Sequence, residues 1–405
     1  MSSSAIRLPD YETYSRIFAG RPMPFAYVNL DLLDANLRQL SSRAGRKGIR
    51  IASKSVRSLA LLRYIRDALE AEARYAGIMC LTAPEAVWLS QEGFDDLLVG
   101  YPTWHPAHVR AVVQRVAAGS TISLMIDSVQ HVRHLEAIAA DEGVTLPVCL
   151  DVDMSVDYGK LHFGVWRSGI TSADDALRVF SAIKESPHLR LEGVMGYEAQ
   201  IAGLGDSTPG QAARNTAIWL LKRRSIKPIS TRRAVVVTAL ETAGADLRFV
   251  NGGGTGSLNT TAREAIVTEV TVGSGFYAPG LFDHYRDFKL HPAAGFAVEV
   301  VRAPTGGTFT CLGGGYIASG GTSADKQPTV HLPAGAQLTE AEGAGEAQTP
   351  VRYDGPLTLR LGDPIFMRHA KAGELCERFN TLLLVRGDVI RDEVPTYRGE
   401  GHAFL

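Results

Sequence analysis

Short β-like runs alternate with helical patterns through the first two thirds of this chain, and that alternation restricts the fold more than any other feature. Eight strand candidates begin near Arg50, Ala76, Asp96, Ile122, Val148, Leu189, Arg248 and Val267. Stretches with helical spacing separate most of them, among them residues 58–69, 84–91, 108–117 and 129–140, and Ser172 stands as an N-cap before Ala-Asp-Asp. Strands alternating with helices imply a parallel sheet, and eight such units over about 230 residues suit a (β/α)8 barrel. A doubly wound open sheet has the same alternation, and strand counting alone does not separate the two.

Outside this region the pattern differs. Phe25–Leu30 reads as a strand, after which Asp31 is expected to cap a helix through Leu40. From His291 onward helical spacing fades. Ala294–Arg302, Leu357–Leu361, Thr381–Val385 and Val389–Val394 read as strands, and Pro333–Pro350 as a mobile loop. The expected organisation is an N-terminal segment 1–35, a barrel over 36–290 and a smaller β domain over 291–405.

Charge excludes some function classes. With 42 Lys+Arg against 43 Asp+Glu, no strong field draws nucleic acid or an anionic membrane surface. Cys80, Cys149, Cys311 and Cys376 are far apart and form no C-x-x-C pair, as expected of buried thiols in a reducing compartment. The N-terminus lacks the basic start and apolar run of a signal peptide, and no stretch reaches roughly 18 uninterrupted apolar residues. A cytoplasmic protein is the expectation.

Chemistry enters at the strand ends, where barrel enzymes work. Lys54 follows the short run Ile51-Ala-Ser, and a lysine there can form a Schiff base with an aldehyde cofactor. The sixth strand ends at Tyr197, the seventh at Gly252-Gly-Gly-Thr-Gly256 and the eighth at Gly273-Ser-Gly275. Glycine-rich turns leave backbone N–H groups available to a phosphate, although either turn alone is equally a plain tight turn. A lysine and two glycine turns on one rim point to pyridoxal phosphate. The run at 252–257 ends in Ser257 and lacks the third glycine of a dinucleotide fingerprint, and no P-loop occurs. The pairs His105/His108 and His131/His134 gain no cysteine or carboxylate cluster and read as solvated helix faces.

Pro24–Asn36, Lys54, the Gly-Gly-Gly-Thr turn and Thr268–Ser274 together resemble the fold-type III pyridoxal phosphate enzymes, in the D-threonine aldolase and D-serine dehydratase-like branch related to alanine racemase. The resemblance runs over nearly the whole chain. It implies that the strand at Phe25–Leu30 joins the C-terminal β domain, and that two subunits pair as a homodimer with each site between a barrel and a β domain. It makes Lys54 the Schiff-base lysine, puts Gly253, Gly254, Thr255, Gly273 and Ser274 on the phosphate cup, and sets Tyr197 near the cofactor. His162, in His-Phe-Gly-Val165, stands where relatives often carry arginine, and either faces the cofactor ring or packs.

The tail departs from that pattern. Tyr397 and Gly399, in Pro395-Thr-Tyr-Arg-Gly-Glu-Gly401, replace two metal ligands of many relatives, and Arg368-His-Ala-Lys-Ala-Gly-Glu374 replaces a Glu-His-Gly. A divalent metal is therefore expected to be absent, since such sites need three or more protein groups. In its place Arg368, Lys371 and Arg398 are expected to bind substrate, with His369 and Tyr397 catalytic. The leading expectation is a lyase that splits a β-hydroxy-α-amino acid, D-configured, by retro-aldol cleavage, with His369 as the proton acceptor. A D-amino-acid dehydratase, an amino-acid racemase and a non-catalytic carrier of the cofactor are the alternatives.

Overall fold

The computed structural model describes residues 8–320 and 323–404, so most of the N-terminal stretch weighed against a signal peptide lies outside the described residues. The chain divides into two compact units. Of the described residues, one holds 40–54, 64–273 and Phe404; the other holds 8–39, 55–63, 274–320 and 323–403. No helix among the described residues is long and apolar enough to cross a membrane.

Strand β1 (Phe25–Asn29) belongs to the second unit. The first unit contains β2 (Gly48–Ala52), β3 (Tyr75–Cys80), β4 (Leu97–Val99), β5 (Ile122–Ile126) and β6 (Leu146–Asp151). A hairpin of β7 (Val156–Tyr158) and β8 (Leu161–Phe163) follows, then β9 (Leu189–Gly196), β10 (Phe249–Gly252) and β11 (Glu269–Val272). Eight of these strands pair in parallel and close in the order β10-β11-β2-β3-β4-β5-β6-β9. The closed barrel is the expected arrangement, and the open sheet is excluded.

Every barrel strand alternates between an inner and an outer face. Leu98, Met125, Cys149, Met195 and Phe249 meet inside as an apolar plug, with Met79 and Tyr197 packed on it. Gly193 is dictated by that plug: a Cβ there would lie 2.3 Å from the Phe249 ring.

Toward the N-terminal ends of the strands the filling is ionic. Arg50 of β2 is fully buried, and its Nε donates to Glu269 Oε1 at 2.6 Å while Nη2 donates to Asp96 Oδ1 at 3.0 Å. Its Nη1 donates to the Asp96 carbonyl at 2.7 Å, and the guanidinium lies 5.2 Å from the Phe249 ring centroid. Arg248 adds contacts to Asp96 at 2.6 Å and to Glu192 at 3.1 Å. Gly77, at φ +87°, leaves the room this requires, since a Cβ would fall 2.6 Å from Arg50 Nη1 and 2.1 Å from the Asp96 carbonyl.

The second unit is a mainly β sheet: β12 (Ala294–Thr305), β13 (Thr308–Leu312), β14 (Thr329–Leu332), β15 (Gln337–Leu338), β16 (Gln348–Arg352), β17 (Pro364–Arg368), β18 (Thr381–Arg386) and β19 (Val389–Pro395). Strand β1 lies between β12, antiparallel, and β18, parallel. Tyr14, Phe18, Phe25, Tyr27 and Phe366 pack as an aromatic core beneath it.

Three local readings are corrected. Asn29, not Asp31, caps the helix Leu30–Arg43: its Oδ1 accepts from the N–H groups of Asp31 at 3.1 Å and Leu32 at 3.2 Å. Asp31 instead accepts from Arg386 and from the Gly387 N–H. Residues 357–361 form no strand, and the segment 333–350 carries β15 and the start of β16. A 31-residue helix, Ala212–Thr242, was not legible at all. Ser172 caps its helix as expected, accepting from the Asp175 N–H at 3.2 Å.

Replacing Arg50 by methionine breaks a buried ion pair, leaving Glu269 with only the Asn251 Nδ2 donor at 2.8 Å and the Asp96 carbonyl with only the Ile78 N–H at 3.0 Å. Arg50→Met is expected to cost about 3–5 kcal/mol, read as a lowered midpoint in urea unfolding; a loss below 1 kcal/mol would show that water replaces the guanidinium.

Candidate active site

Lys54 sits in a single turn, Ser53–Ser55, immediately after β2, so its position is set by the strand that Arg50 anchors. Its half-buried side chain reaches across the C-terminal rim, where Nζ donates to the Tyr101 hydroxyl at 2.7 Å. Tyr101 lies two residues past β4. The Arg167 guanidinium stands over two rings at once, 5.6 Å from the Tyr101 centroid and 5.5 Å from the Tyr197 centroid. Such cation–π contacts orient a guanidinium while leaving its N–H edge open. Tyr197 follows β9 directly, and burial, opposed by Arg167, pushes its hydroxyl up to about 12, so it is neutral and able to donate.

The glycine turn after β10 closes beside Tyr197. Gly253 has φ +86°, which a side chain rarely tolerates, and a Cβ on Gly254 would come 2.9 Å from Ala202 Cβ and 3.1 Å from the Tyr197 ring. The turn fastens itself, with the Gly254 N–H donating to Ser257 Oγ at 3.0 Å. Beneath it, Arg233 of the long helix is fully buried, donating to Glu198 at 2.8 Å and to the Gly196 carbonyl at 3.0 Å, with Glu264 as a further partner. Gly273 follows β11, and Ser274 opens the next short helix, its Oγ 3.4 Å from Ser55 Oγ. A lysine with glycines that must remain glycines forms a cradle that suits a phosphorylated aldehyde.

His162 lies on strand β8 and makes its contacts within and just after the hairpin. Its Nδ1 is 2.8 Å from Asp157 across the β7–β8 hairpin, and its ring stacks on Trp166 at 3.8 Å. The side chain that stands over Tyr197 is Arg167, five residues on. Arg167 and Tyr101 both escaped sequence reasoning; Tyr101 carried a signal in its place two residues past a barrel strand, whereas Arg167 lies in the loop after the β7–β8 hairpin and carried none.

The residues expected to bind substrate from the tail belong to the β unit and are largely engaged there. Arg368 grips the Asp283 carboxylate and donates to the Ala278 carbonyl at 2.6 Å. Lys371 Nζ meets Ser319 Oγ at 2.8 Å and Glu374 at 3.7 Å. Arg398 is exposed and lines a groove of about 430 Å³ with Arg21, Arg378 and Glu393. Tyr397 is buried, its N–H donating to the Arg57 carbonyl at 2.9 Å. Gly399 is packed so closely that a Cβ would lie 1.9 Å from the Asn380 carbonyl. Among the described residues no group of three or more His, Cys, Asp or Glu is placed to hold a metal ion.

His369 is buried with its ring edge-on to Tyr277 at 6.5 Å, and burial together with the Arg368 charge lowers its pKa to about 3. His331 is lowered to about 4, by burial first and then by Arg368, against the pull of Asp283. Both imidazoles are therefore neutral near pH 7. This makes them weak proton acceptors and suits them to hydrogen bonding and packing.

Eight parallel strands around an apolar plug, a lysine at the rim and an obligatory glycine turn after β10 define a barrel of the alanine racemase kind. A family model described as "Alanine racemase, N-terminal domain" matches residues 28–278, more than half of the chain, and the chain belongs to that family. The family resemblance read from the sequence is borne out. The chain is 25% identical over 276 residues to a 3-hydroxy-D-aspartate aldolase of Paracoccus denitrificans strain Pd 1222, covering 68% of this chain and 64% of that relative's length. Among solved structures it is similar to D-threonine aldolase from Filomicrobium marinum, with TM-score 0.76, 18% identity and coverage of 93% and 95% of the two chains. D-threo-3-hydroxyaspartate dehydratase from Delftia sp. HT23 gives 0.75, 19%, 96% and 99%. At such identities the two structures establish the fold alone.

The neutral histidines make stability depend on pH. The unfolded chain protonates them below about pH 6.5, whereas the fold keeps them neutral to about 4 and about 3. Their contribution is present above pH 6.5 and is lost as pH falls. In the window from about 6.5 to about 4, each is expected to steepen the fall by about 1.4 kcal/mol per pH unit. Urea midpoints measured across it should flatten in a His331→Gln/His369→Gln double variant, and an unchanged slope would mean that the folded protein protonates them normally.

Proposed function

We propose that the protein is a pyridoxal-phosphate-dependent lyase acting on a β-hydroxy-α-amino acid of the D series, by retro-aldol cleavage to glycine and an aldehyde. The observation that carries this reading is the Lys54 amine held on Tyr101 at the rim of an alanine racemase-type barrel, beside a turn where Gly253 and Gly254 must be glycine. The similarity to a 3-hydroxy-D-aspartate aldolase supports the reaction type. A lyase that dehydrates the same class of substrate is the second reading, favoured by the dehydratase among the structural neighbours.

Bound pyridoxal phosphate supplies a conjugated ring that takes up the electron pair released when a bond at the substrate α-carbon breaks. The chain's own residues do the rest. Lys54 is the attachment point, and Tyr101 holds its amine in place. Gly253, Thr255, Gly273 and Ser274 hold the phosphate through backbone N–H groups and hydroxyls, while Gly254, whose N–H is donated to Ser257 Oγ, shapes the turn that brings them together. Tyr197, kept neutral, donates a hydrogen bond beside that turn. Arg167, oriented by two rings, offers paired N–H donors to a substrate carboxylate. His162 is proposed to act only through its hairpin. Arg368, His369, Lys371, Tyr397 and Arg398 remain the proposed contribution of the β unit to substrate recognition, with His369 as a neutral hydrogen-bonding side chain. The protein is further proposed to work as a two-fold homodimer, as the family resemblance implies.

Purified protein is expected to be yellow, and borohydride should fix the label on Lys54. Lys54→Ala should lose both the colour and the label; retention of either overturns the assignment. Product analysis with D-β-hydroxy amino acids then separates the two readings, glycine plus aldehyde against ammonia plus a keto acid.

The replacement of two family ligands by Tyr397 and Gly399 supports chemistry without a divalent metal. Activity should survive dialysis against a chelator, and the active species should sediment as a dimer. Loss of activity restored by manganese or zinc would refute the first expectation, and a fully active monomer the second.

A further inference from the structure

The retro-aldol reading leaves one requirement open: a group that accepts the proton of the β-hydroxyl. The apolar plug of the barrel points to one. Cys149 and Met195 lie on the inner face of β6 and β9, and Asp151 and Tyr197 follow each by two residues. By the two-residue period of a strand each shares that inner face, one step nearer the rim on its own strand. In the same way Asp127 stands two residues past the inner Met125, and the pairing of Ile126 with Leu150 sets Asp127 beside Asp151.

Asp151 is 8% exposed, yet its carboxyl group makes no hydrogen bond or ion pair among the described residues; only its backbone carbonyl is engaged, by Ser168 Oγ at 2.5 Å. Its neighbours are satisfied. Asp127 pairs with His131 at 2.9 Å, and Asp153 with Arg232 and Ser155. Its oxygens are not among the sealed polar atoms, so a largely buried carboxyl group keeps its acceptors open toward the rim with no protein donor claiming them.

We infer that Asp151 takes the proton from the substrate β-hydroxyl as the Cα–Cβ bond breaks. The inference rests on the lyase reading above. The O–H bond breaks and its proton passes to the Asp151 carboxylate. The oxygen's electrons form the aldehyde C=O, and the Cα–Cβ pair stays with the α-carbon. A proton then returns to the α-carbon to complete glycine, so no further reactant is consumed.

The electrostatics agree with the placement. Burial, then the Asp127 charge, push the Asp151 carboxyl up to about 7, with Asp153 adding to the rise and Arg167 opposing it. A proton acceptor works best with a pKa near the working pH. Cys149, the thiol nearest in its own strand, is itself pushed well up by burial and remains protonated. Arg167 couples binding to this step: a substrate carboxylate on its N–H edge offsets the one cation that favours ionised Asp151. The acceptor becomes more basic when it is needed.

The test uses the holoenzyme, with Asp151→Asn, Asp151→Glu and Arg167→Met. Asp151→Asn should keep the cofactor absorbance, lose at least 100-fold in kcat and lose the acid limb of the kcat/KM profile near pH 7. Asp151→Glu should recover part of the activity with a shifted limb. Arg167→Met should raise KM and move the limb to higher pH. Stability gives a readout independent of turnover. A carboxyl whose folded pKa is raised to about 7, from about 4 in the unfolded chain, stabilises the fold at low pH, and that contribution is lost as pH rises to 7. Relative to wild type, Asp151→Asn should therefore gain stability progressively from about pH 4 to about pH 7 and hold the gain above. A limb near pH 7 that persists in Asp151→Asn, or activity within a few-fold of wild type, overturns the inference while leaving the lyase reading intact. A wild-type holoenzyme that cleaves no β-hydroxy amino acid sinks the lyase reading and this one with it.

Discussion

A single guanidinium sealed inside the barrel sets the geometry on which the rim depends. Arg50 receives acceptors from Glu269 at the start of β11 and from Asp96 just before β4, while the Phe249 ring of β10 covers its face. A one-residue slip of β2 would turn this charge to the outer face and break its ion pairs with both carboxylates. The register of β2 against β11 is thereby fixed, and four residues further on the chain delivers Lys54 to the opposite end. The ionic floor and the reactive rim are two ends of one strand.

A second buried guanidinium does comparable work near the other end. Arg233 joins the helix Ala212–Thr242 to the Gly196 carbonyl, to Glu198 and to Glu264, so the end of β9 and the segment after the glycine turn share one clamp. Gly252 has no side chain because its Cβ would come 3.2 Å from that guanidinium. Rigidity under the turn matters because a phosphate is held by backbone N–H groups only if they already converge. The two clamps use arginine for the same reason: a planar fork with five donors can tie three chain segments at once.

The eight barrel strands were legible because their apolar runs are short, regularly spaced and separated by helical periods. The helix Ala212–Thr242 escaped because arginines and lysines surround it and Pro228 interrupts it, so no apolar stripe declares it. Asn29 and Asp31 are both good caps, and only tertiary contact decides: Arg386 claims Asp31 and leaves the cap to Asn29. The rim was half legible. Lys54 and the glycines stand out by residue type and place, whereas Asp151 looks in sequence like any polar residue closing a strand. Its distinction is burial beside Asp127, which no local pattern encodes. Arg167 was masked by His162, which occupies the family's position while the neighbouring guanidinium reaches Tyr197.

Strand β1 carries a consequence for how the protein is made. Its residues 25–29 emerge early from the ribosome, yet Tyr27 pairs with Gly295 on one side and Leu383 on the other. Barrel strands complete their pairings by residue 272, whereas β1 waits for β12, from residue 294, to cover one edge and for β18, from residue 381, to cover the other. Pairings so distant in sequence form slowly, and an apolar strand with two bare edges is a template for aggregation. During synthesis the aromatic segment Phe25–Tyr27 thus stays exposed longer than the barrel strands, and a nascent chain that stops before β18 leaves one of its edges bare.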